Sequence, residues 1–468
     1  MGRSLTGVLQ PMDRLSPVDA SFLHIEDGIN HMHIGSICLF EGPPPPHEEL
    51  VAMVAGKLPL VPRCRQRVRF VPMELARPVW VDDPTFNLRY HVRHTALPRP
   101  GGDDELRTLV GRVMSQELDR NRPLWEMWMV EGLEDDCWAV LTKFHHCMVD
   151  GVSGTDVMSV ILDGSPEQSA PVPDDWSPEP EPDKARLVVD ALRDLVASPY
   201  EQFRVLRARA RDAGQLRSLI DDLRRGFPTL AKVATPPTGL DLNGPIGPHR
   251  RWDWARTQLG DVNKVRVAHG GTVNDVVLTV IAGGFRKLVL SRDGYVDGRA
   301  VRTLVPVSVR AADQKGVPNN QVSAMFADLP IGLPDPLERL ASIRAQMDGL
   351  KESKQAVAAE VLTSMAGFAP PMLLALGTRL AARSPQNNVN TVTTNVPGPQ
   401  TPIYACGRRM VEAFPYVPLA NGVRIGVAIG SYDGQLNYGV TGDYDTAPDI
   451  SVVCRGIEDG MAELLARS

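Results

Sequence analysis

The sequence predicts an α+β protein built as two domains, and three observations lead there. A chain of 468 residues exceeds what one ordinary hydrophobic core fills and divides into two units of roughly 200 residues. Its strand-like and helix-like stretches follow one another without the regular strand–helix–strand order of a doubly wound parallel sheet. No glycine-rich phosphate loop or dinucleotide fingerprint interrupts them.

Composition narrows the function classes. The hydrophobic share of 43% is that of a soluble globular chain. A formal net charge of −6, with no long basic face, gives no reason to expect nucleic acid as a partner. Cys38, Cys64, Cys137, Cys147, Cys406 and Cys454 are scattered without a Cys-x-x-Cys pair. That pattern points to a reducing, cytoplasmic compartment and away from a zinc site or a disulfide framework. Met1 to Ser16 lacks an apolar core of signal-peptide length. Val361 to Thr378 runs without a charge, but Pro370-Pro371 breaks it in the middle, so it does not read as a membrane span. Such a bent apolar segment lines an acyl pocket, rests on a lipid surface or forms a buried helix pair.

The elements of the first domain, residues 1–163, follow in order. Leu15-Ser16-Pro17-Val18-Asp19-Ala20-Ser21-Phe22-Leu23 opens the globular part. His31 to Phe40 alternates as a strand does, and Gly42 with Pro43 to Pro46 ends it. His31 and His33 share one face of that strand and read as lining residues, since metal binding lacks a carboxylate at suitable spacing. Glu48 to Lys57 and Leu106 to Leu118 are helices, the second with Leu106, Leu109, Val110, Val113 and Leu118 largely on one side. Met127 to Glu131 and Trp138 to Phe144 are strands joined by a turn at Gly132 to Asp136, which makes an antiparallel hairpin.

Residues 164–249 form a connection. Gly164 to Asp183 is rich in Pro, Ser and acid and reads as an exposed linker. Ala185 to Arg225 is helical, amphipathic and rich in arginine, including Arg204, Arg207, Arg209, Arg211, Arg217, Arg224 and Arg225. It is either a solvated helix pair crossing between the domains or a basic surface for anionic lipid or CoA phosphates.

The second domain, residues 250–468, holds helices at Val262 to Ala268 and Val276 to Leu290, with Asn274-Asp275 at the start of the latter. Val301 to Val309 is a strand and Asp335 to Lys354 a helix. Asn390 to Val396 is a strand closed by Pro397-Gly398-Pro399. Arg424 to Ile429 and Gln435 to Val440 pair across Ser431-Tyr432-Asp433-Gly434, where Asp-Gly is a strong hairpin signal. Ile450 to Ala466 is the last helix.

The chemistry centres on Phe144-His145-His146-Cys147-Met148-Val149-Asp150-Gly151. A strand ends there, and Val157, Val160 and Ile161 fall at helical spacing just beyond. An imidazole near its usual pKa of about 6.5 takes a proton from a hydroxyl at neutral pH and returns it later. Neighbours on extended backbone point to opposite sides, so one histidine faces a cleft and the other faces packing. Asp150 fixes the loop through an ion pair or caps the following helix, and Gly151 lets that helix start close to its neighbours. Pro123-Leu124-Trp125 falls at the same end of the hairpin, where Trp125 either walls the site or fills the core. A metal phosphohydrolase reading fails for want of further carboxylate and histidine ligands.

His145-His146-x-x-x-Asp150-Gly151 is similar to the signature of the chloramphenicol acetyltransferase-like acyltransferases. Over nearly its whole length, from Leu15-Ser16-Pro17-Val18-Asp19 to Leu436-Asn437-Tyr438-Gly439-Val440, the chain resembles the bacterial wax ester synthase/acyl-CoA:diacylglycerol acyltransferases. The blocks that carry the resemblance are the histidine motif, Pro123-Leu124-Trp125, Asn274-Asp275, Pro306-Val307-Ser308-Val309-Arg310 and Asn395-Val396-Pro397-Gly398-Pro399.

The resemblance implies two chloramphenicol acetyltransferase-like α/β sandwich domains with an active-site tunnel between them. It implies His146 as general base toward the hydroxyl of diacylglycerol or a long-chain alcohol, with long-chain acyl-CoA as donor and no further cofactor or metal. His145, Asp150 and Gly151 complete the motif. Asn274 is the leading oxyanion donor, with Thr393 and Thr394 behind it. Pro123, Leu124, Trp125, Asp275, Thr393, Thr394 and Asn395 are expected along the substrates. Direct transfer needs no acyl-enzyme, so Cys147 is not required as a nucleophile. The expected setting is cytoplasmic, at the periphery of the inner membrane or of lipid droplets. An acyltransferase fed by a carrier protein and a non-catalytic lipid-binding relative are the alternatives.

Overall fold

The computed structural model describes residues 12–148, 154–194, 240–308, 322–352 and 388–468, together with Met372, Ala375, Leu376, Thr378 and Arg379. The chain opens with helix α1 (Pro17–Ile25), started by Ser16, whose hydroxyl accepts a hydrogen bond from Asp19 N. Strand β1 (His33–Glu41), helix α2 (His47–Lys57) and the ribbon of β2 (Gln66–Arg69) and β3 (Val79–Asp82) follow. The single turn α3 (Leu88–His91), strand β4 (Val92–Ala96) and helix α4 (Asp103–Met114) lead to the hairpin of β5 (Trp125–Glu131) and β6 (Cys137–His145), and then to α5 (Gly154–Ile161). A helix at 184–194, α6, begins the connection. The second half contributes β7 (Arg250–Gln258), α7 (Leu259–His269), α8 (Val273–Asp293), β8 (Val301–Ser308), β9 (Val322–Leu329), α9 (Pro336–Glu352), β10 (Thr391–Val396), β11 (Tyr404–Ala405), β12 (Arg408–Tyr416), β13 (Ile425–Tyr432), β14 (Gln435–Asp443) and α10 (Ile450–Leu465).

These strands form two six-stranded mixed sheets, in the orders β11-β12-β1-β6-β5-β4 and β7-β14-β13-β10-β8-β9. The α+β reading is therefore correct. The sheets do not respect a division of the sequence at residue 250, because β11 and β12 come from the second half and complete the first sheet. Strand β12 runs antiparallel to β1, with Gly35 opposite Tyr416 and Ile37 opposite Phe414. Neither β7 nor β12 stands out in the sequence. Arg250, Asp253 and Arg256 interrupt one strand, and Arg408, Glu412 and Pro415 the other. Their aromatic residues account for both. Trp252, Trp254 and Phe414 pack with ring centroids 5.1 to 6.2 Å apart, against Leu106, Leu109, Val110 and Val113 of α4. This cluster joins the two sheets. At Gly439 they come so close that a β-carbon would lie 1.7 Å from the Pro415 carbonyl oxygen, so only glycine fits.

The β13–β14 hairpin turns on Asp433 and Gly434 alone, both at positive φ (43° and 82°), the geometry of a two-residue turn that matches strand twist. The expected four-residue loop is shorter because Tyr432 stays in the strand. Its hydroxyl donates to Met410 O at 2.9 Å and accepts from Ile403 N at 3.0 Å, which ties the second sheet to the β11–β12 region.

The Pro- and acid-rich stretch is exposed, as expected, but it is strapped to the first unit. Val172 N donates to Gly56 O at 2.9 Å, Asp174 accepts from Arg65 at 2.9 Å, and Glu181 pairs with Arg67 at 2.6 Å and with Arg69. Helix α6 then buries Leu187 against Val79 and Val81 and Ala191 against Val71, while Arg14 bridges Asp190 and Asp194 at 2.5 Å each. Arg204 to Arg225 lie outside the described residues, as does most of Val361 to Thr378. Among the described residues no helix is long and apolar enough to cross a membrane.

Candidate active site

The histidine pair stands where β6 ends. Strand pairing sets His145 opposite His33 of β1, and His145 N donates to Leu124 O at 2.9 Å. The chain then turns. His146 N donates to Met32 O at 2.8 Å, and His146–Met148 form one 3-10 turn. Two adjacent side chains thus enter different surroundings, as the alternation of extended backbone requires.

The ring of His145 is buried. Its Nδ1 accepts from Cys147 N at 3.1 Å, and its Nε2 stands 3.4 Å from Glu26 Oε2. The ring of His146 is half-buried and stacks on Phe22 of α1, with centroids 4.0 Å apart and planes 26° from parallel. Burial pushes the His146 pKa down to about 4, so the imidazole is neutral at ordinary pH. Its Nδ1 is buried without a hydrogen-bond partner among the described residues. A neutral imidazole with a free ring nitrogen can take up a proton. Cys147 is also buried, and burial pushes its thiol well above the usual range. The thiolate needed for nucleophilic attack is thereby suppressed.

Beneath the pair lies a polar cluster that the sequence did not reveal. Burial alone would raise the Glu26 carboxyl, yet His145, His33 and Arg120 around it hold it well below the ordinary carboxylate range. Arg120 sits 2.6 Å away on Oε2 and His33 Nε2 is 3.4 Å from Oε1. Met32 N donates to Oε1 at 3.3 Å. His31 and His33 do share a face, with ring centroids 5.3 Å apart, and burial lowers the pKa of each. The carboxylate missing from their own strand comes instead from the end of α1. Lys143, fully buried, donates from Nζ to Val113 O at 2.9 Å and to Gln116 O, at the end of α4 where a cation is favoured. Burial lowers its pKa to about 8. One signal was available: Phe22 and Glu26 are spaced i, i+4, which puts both on one face of a short helix.

The other expected site residues divide between the two units. Leu124 touches the histidine strand through its carbonyl, but the Trp125 indole lies in the core, donating to Cys64 O at 2.8 Å and stacking on His91 at 4.7 Å. Of the two roles left open for Trp125, the side chain takes the packing one. Pro123 is buried beside it. On the second unit, Asn274 is half-buried in the first turn of α8. Asp275 is buried as the helix cap: its Oδ2 accepts from Thr272 N at 2.7 Å, and Thr272 Oγ1 accepts from Asp275 N at 3.3 Å. Thr393 is buried and accepts from Thr303 Oγ1 at 2.7 Å, between β10 and β8. Thr394 and Asn395 are half-buried opposite Ala428 and Ile429. Asp150 and Gly151 lie outside the described residues, as do Val309 and Arg310.

Comparison with known proteins gives a consistent result. The wax ester synthase/diacylglycerol acyltransferase catalytic domain matches residues 15–277, and the C-terminal domain of the same family matches residues 319–465. The probable diacylglycerol O-acyltransferase tgs1 of Mycobacterium tuberculosis is 36% identical over 98% of this chain and 96% of its own length. A putative diacylglycerol O-acyltransferase of the same organism is 31% identical over 97% and 90%. The solved wax ester synthase/diacylglycerol acyltransferase of Marinobacter aquaeolei VT8 superposes with a TM-score of 0.68 at 26% identity, over 97% of this chain and 99% of that one. The first condensation domain of the calcium-dependent antibiotic synthetase shares the fold, with a TM-score of 0.60 at 14% identity over 98% and 97%.

Proposed function

The chain belongs to the wax ester synthase/diacylglycerol acyltransferase family and is an acyltransferase, and on that premise we propose that it moves a long-chain acyl group from CoA to the hydroxyl of diacylglycerol, with long-chain alcohol as a second acceptor and His146 as general base. The observation that carries this reading is a desolvated, neutral imidazole beside a thiol that burial keeps protonated. That pairing favours direct transfer over an acyl-cysteine route. The names of the M. tuberculosis relatives support diacylglycerol as the acceptor.

In the proposed sequence, His146 takes the acceptor's hydroxyl proton as the oxygen attacks the thioester carbonyl. The negative charge moves onto the carbonyl oxygen, where preorganised donors contribute about 3 kcal/mol each. Asn274 is the first candidate for that role, and Thr394 the next. Thr393 is buried, and its hydroxyl accepts from Thr303 Oγ1 between β10 and β8. As the intermediate collapses, the carbon–sulfur bond breaks and the imidazolium protonates the leaving thiolate, giving ester and free CoA. A desolvated imidazolium is a stronger acid than a thiol of ordinary pKa, about 8.5, so this last transfer runs downhill.

The two substrates are proposed to meet in a tunnel between the units. The acceptor is nearly insoluble, so the enzyme is proposed to collect it at the periphery of the inner membrane or a lipid droplet. Incubation of pure protein with palmitoyl-CoA and either dioleoylglycerol or hexadecanol should release free thiol and ester in equal amounts. Absence of ester with both acceptors would overturn the reading.

A further inference from the structure

The mechanism above leaves Glu26 without a role, although two chains of contacts lead from it to the backbone of His146. Glu26 caps the C-terminus of α1, its own N–H donating to Phe22 O at 3.2 Å, and its carboxylate is only 8% exposed. One chain runs through His145: Oε2 of Glu26 stands 3.4 Å from Nε2, and Nδ1 of the same ring accepts from Cys147 N at 3.1 Å. The other runs through Met32: its N–H donates to Oε1 at 3.3 Å, and its carbonyl accepts from His146 N at 2.8 Å. The helix that Glu26 ends also supplies Phe22, which lies against the His146 ring.

The Cys147 amide decides the protonation of His145. A backbone N–H can donate only to a ring nitrogen that carries a lone pair, so the neutral ring holds its proton on Nε2, on the Glu26 side. The opposite tautomer would set two N–H groups against each other at Cys147 and break the turn that presents His146. At 3.4 Å the two atoms are within ion-pair distance, but Nε2 makes no hydrogen bond among the described residues; catalytic contacts that are long or poorly aligned without substrate often tighten when it binds.

We propose that Glu26 is the positioning residue of the acyl-transfer site: by accepting the Nε2 proton of His145 it fixes that ring in one tautomer, and so holds the turn at Cys147 and the His146 imidazole in working orientation. Arg120, 2.6 Å from Oε2, keeps the carboxylate ionised and turned toward the ring. The role is that of the carboxylate or carbonyl that orients a working histidine from behind its partner, applied here through a neighbouring histidine. It rests on His146 acting as the base.

The test combines two variants with one spectroscopic measurement on the wild type. In histidine-selective 15N spectra at neutral pH, His145 should appear with Nε2 protonated and Nδ1 bare. Glu26→Ala should lower kcat by about tenfold or more, with the KM for palmitoyl-CoA within about twofold of wild type, as expected for a misplaced base. Glu26→Gln should recover kcat to within about threefold of wild type, because the amide oxygen accepts the same proton. A wild-type His145 protonated on Nδ1 would overturn the assignment, even if Glu26→Ala fails to fold. So would a Glu26→Gln variant as impaired as Glu26→Ala, or a Glu26→Ala variant with undiminished kcat. If the wild type transfers no acyl group at all, the proposed function falls, while the tautomer measurement still judges Glu26 on its own.

Discussion

Phe22 lies flat against His146, ring on ring at 4.0 Å. The contact does two things at once. It holds the imidazole in one orientation, and it keeps water from one face of the ring, which is part of why burial pushes its pKa down. Phe22→Ala should therefore lower kcat by about tenfold, equivalent to roughly 1.4 kcal/mol of barrier, and should raise the His146 pKa toward its ordinary value as water enters. Phe22→Leu, which keeps the apolar cover, should show a smaller effect. Steady-state kinetics and histidine NMR titration of the two variants check both statements.

His146→Ala should abolish acyl transfer while the fold and acyl-CoA binding survive, since the ring is half-buried and its Nδ1 has no hydrogen-bond partner among the described residues. His145→Ala should do the reverse in emphasis, keeping more activity but losing stability. It leaves the buried Cys147 N–H without its acceptor, at a cost of about 1–3 kcal/mol. Turnover, together with thermal melting of both variants, separates the two roles.

Cys147→Ala should remain active, and no acylated protein should accumulate with acyl-CoA alone. The buried thiol is kept protonated, whereas a cysteine nucleophile would give ping-pong kinetics. Intact-protein mass spectrometry after incubation with palmitoyl-CoA checks this, and a thioester mapped to Cys147 would contradict it.

Stability should fall on the acid side of neutrality. His91 is buried on Trp125 and Phe86, and burial lowers its pKa from the ordinary 6.5 to about 4. The unfolded chain binds a proton below 6.5 while the folded chain stays neutral down to about 4. The contribution is complete above 6.5 and is lost as pH drops from 6.5 toward 4, by about 1.4 kcal/mol per unit for this residue. Denaturant melts at pH 7, 6 and 5 should show that slope, and His91→Phe should flatten it. The acid limb of kcat/KM should likewise lie well below 6.5, because His146 is depressed in the same direction.

The arginine-rich run beyond α6 and the apolar residues Leu373, Leu374 and Leu376 underlie a further expectation. If they meet an anionic lipid surface, each arginine contributes about 1 kcal/mol of attraction, and salt screens it. The protein should float with anionic liposomes at low salt and less so at high salt. Reversing Arg207, Arg209 and Arg211 to Glu should reduce flotation and slow turnover of diacylglycerol more than of a short soluble alcohol. Unchanged flotation removes the arginine run from the account.

Local signals in the sequence were dependable where a residue acts on its own neighbours. Asp433-Gly434 marks a hairpin because both positions must accept positive φ. Asn274-Asp275 falls at a helix start because Asp275 closes a cap with Thr272. The histidine pair sits at a strand end because the β5–β6 hairpin delivers it there. What stayed hidden depends on partners far along the chain. Arg250–Gln258 and Arg408–Tyr416 look too charged for strands until Trp252, Trp254 and Phe414 are seen to meet across the sheets. Glu26 looks like one more surface acid at a helix end until His33, Arg120 and His145 close around it. Trp125 reads equally well as wall or filling, and only the position of Cys64 decides.

The borrowing of β12 by the first sheet has a consequence during synthesis. Strand β1 finds one neighbour, β6, as soon as residue 145 is made, but its other edge must wait for residues 408–416. A ribosome adding about 5–20 residues per second needs on the order of tens of seconds to cover that distance. Throughout that interval the nascent chain carries an open, apolar strand edge of the kind that invites pairing with the wrong chain. Expressing the first half alone would make the wait permanent, so the halves of this enzyme should not be separable by truncation, and its recovery in soluble form should respond to translation speed and to chaperones.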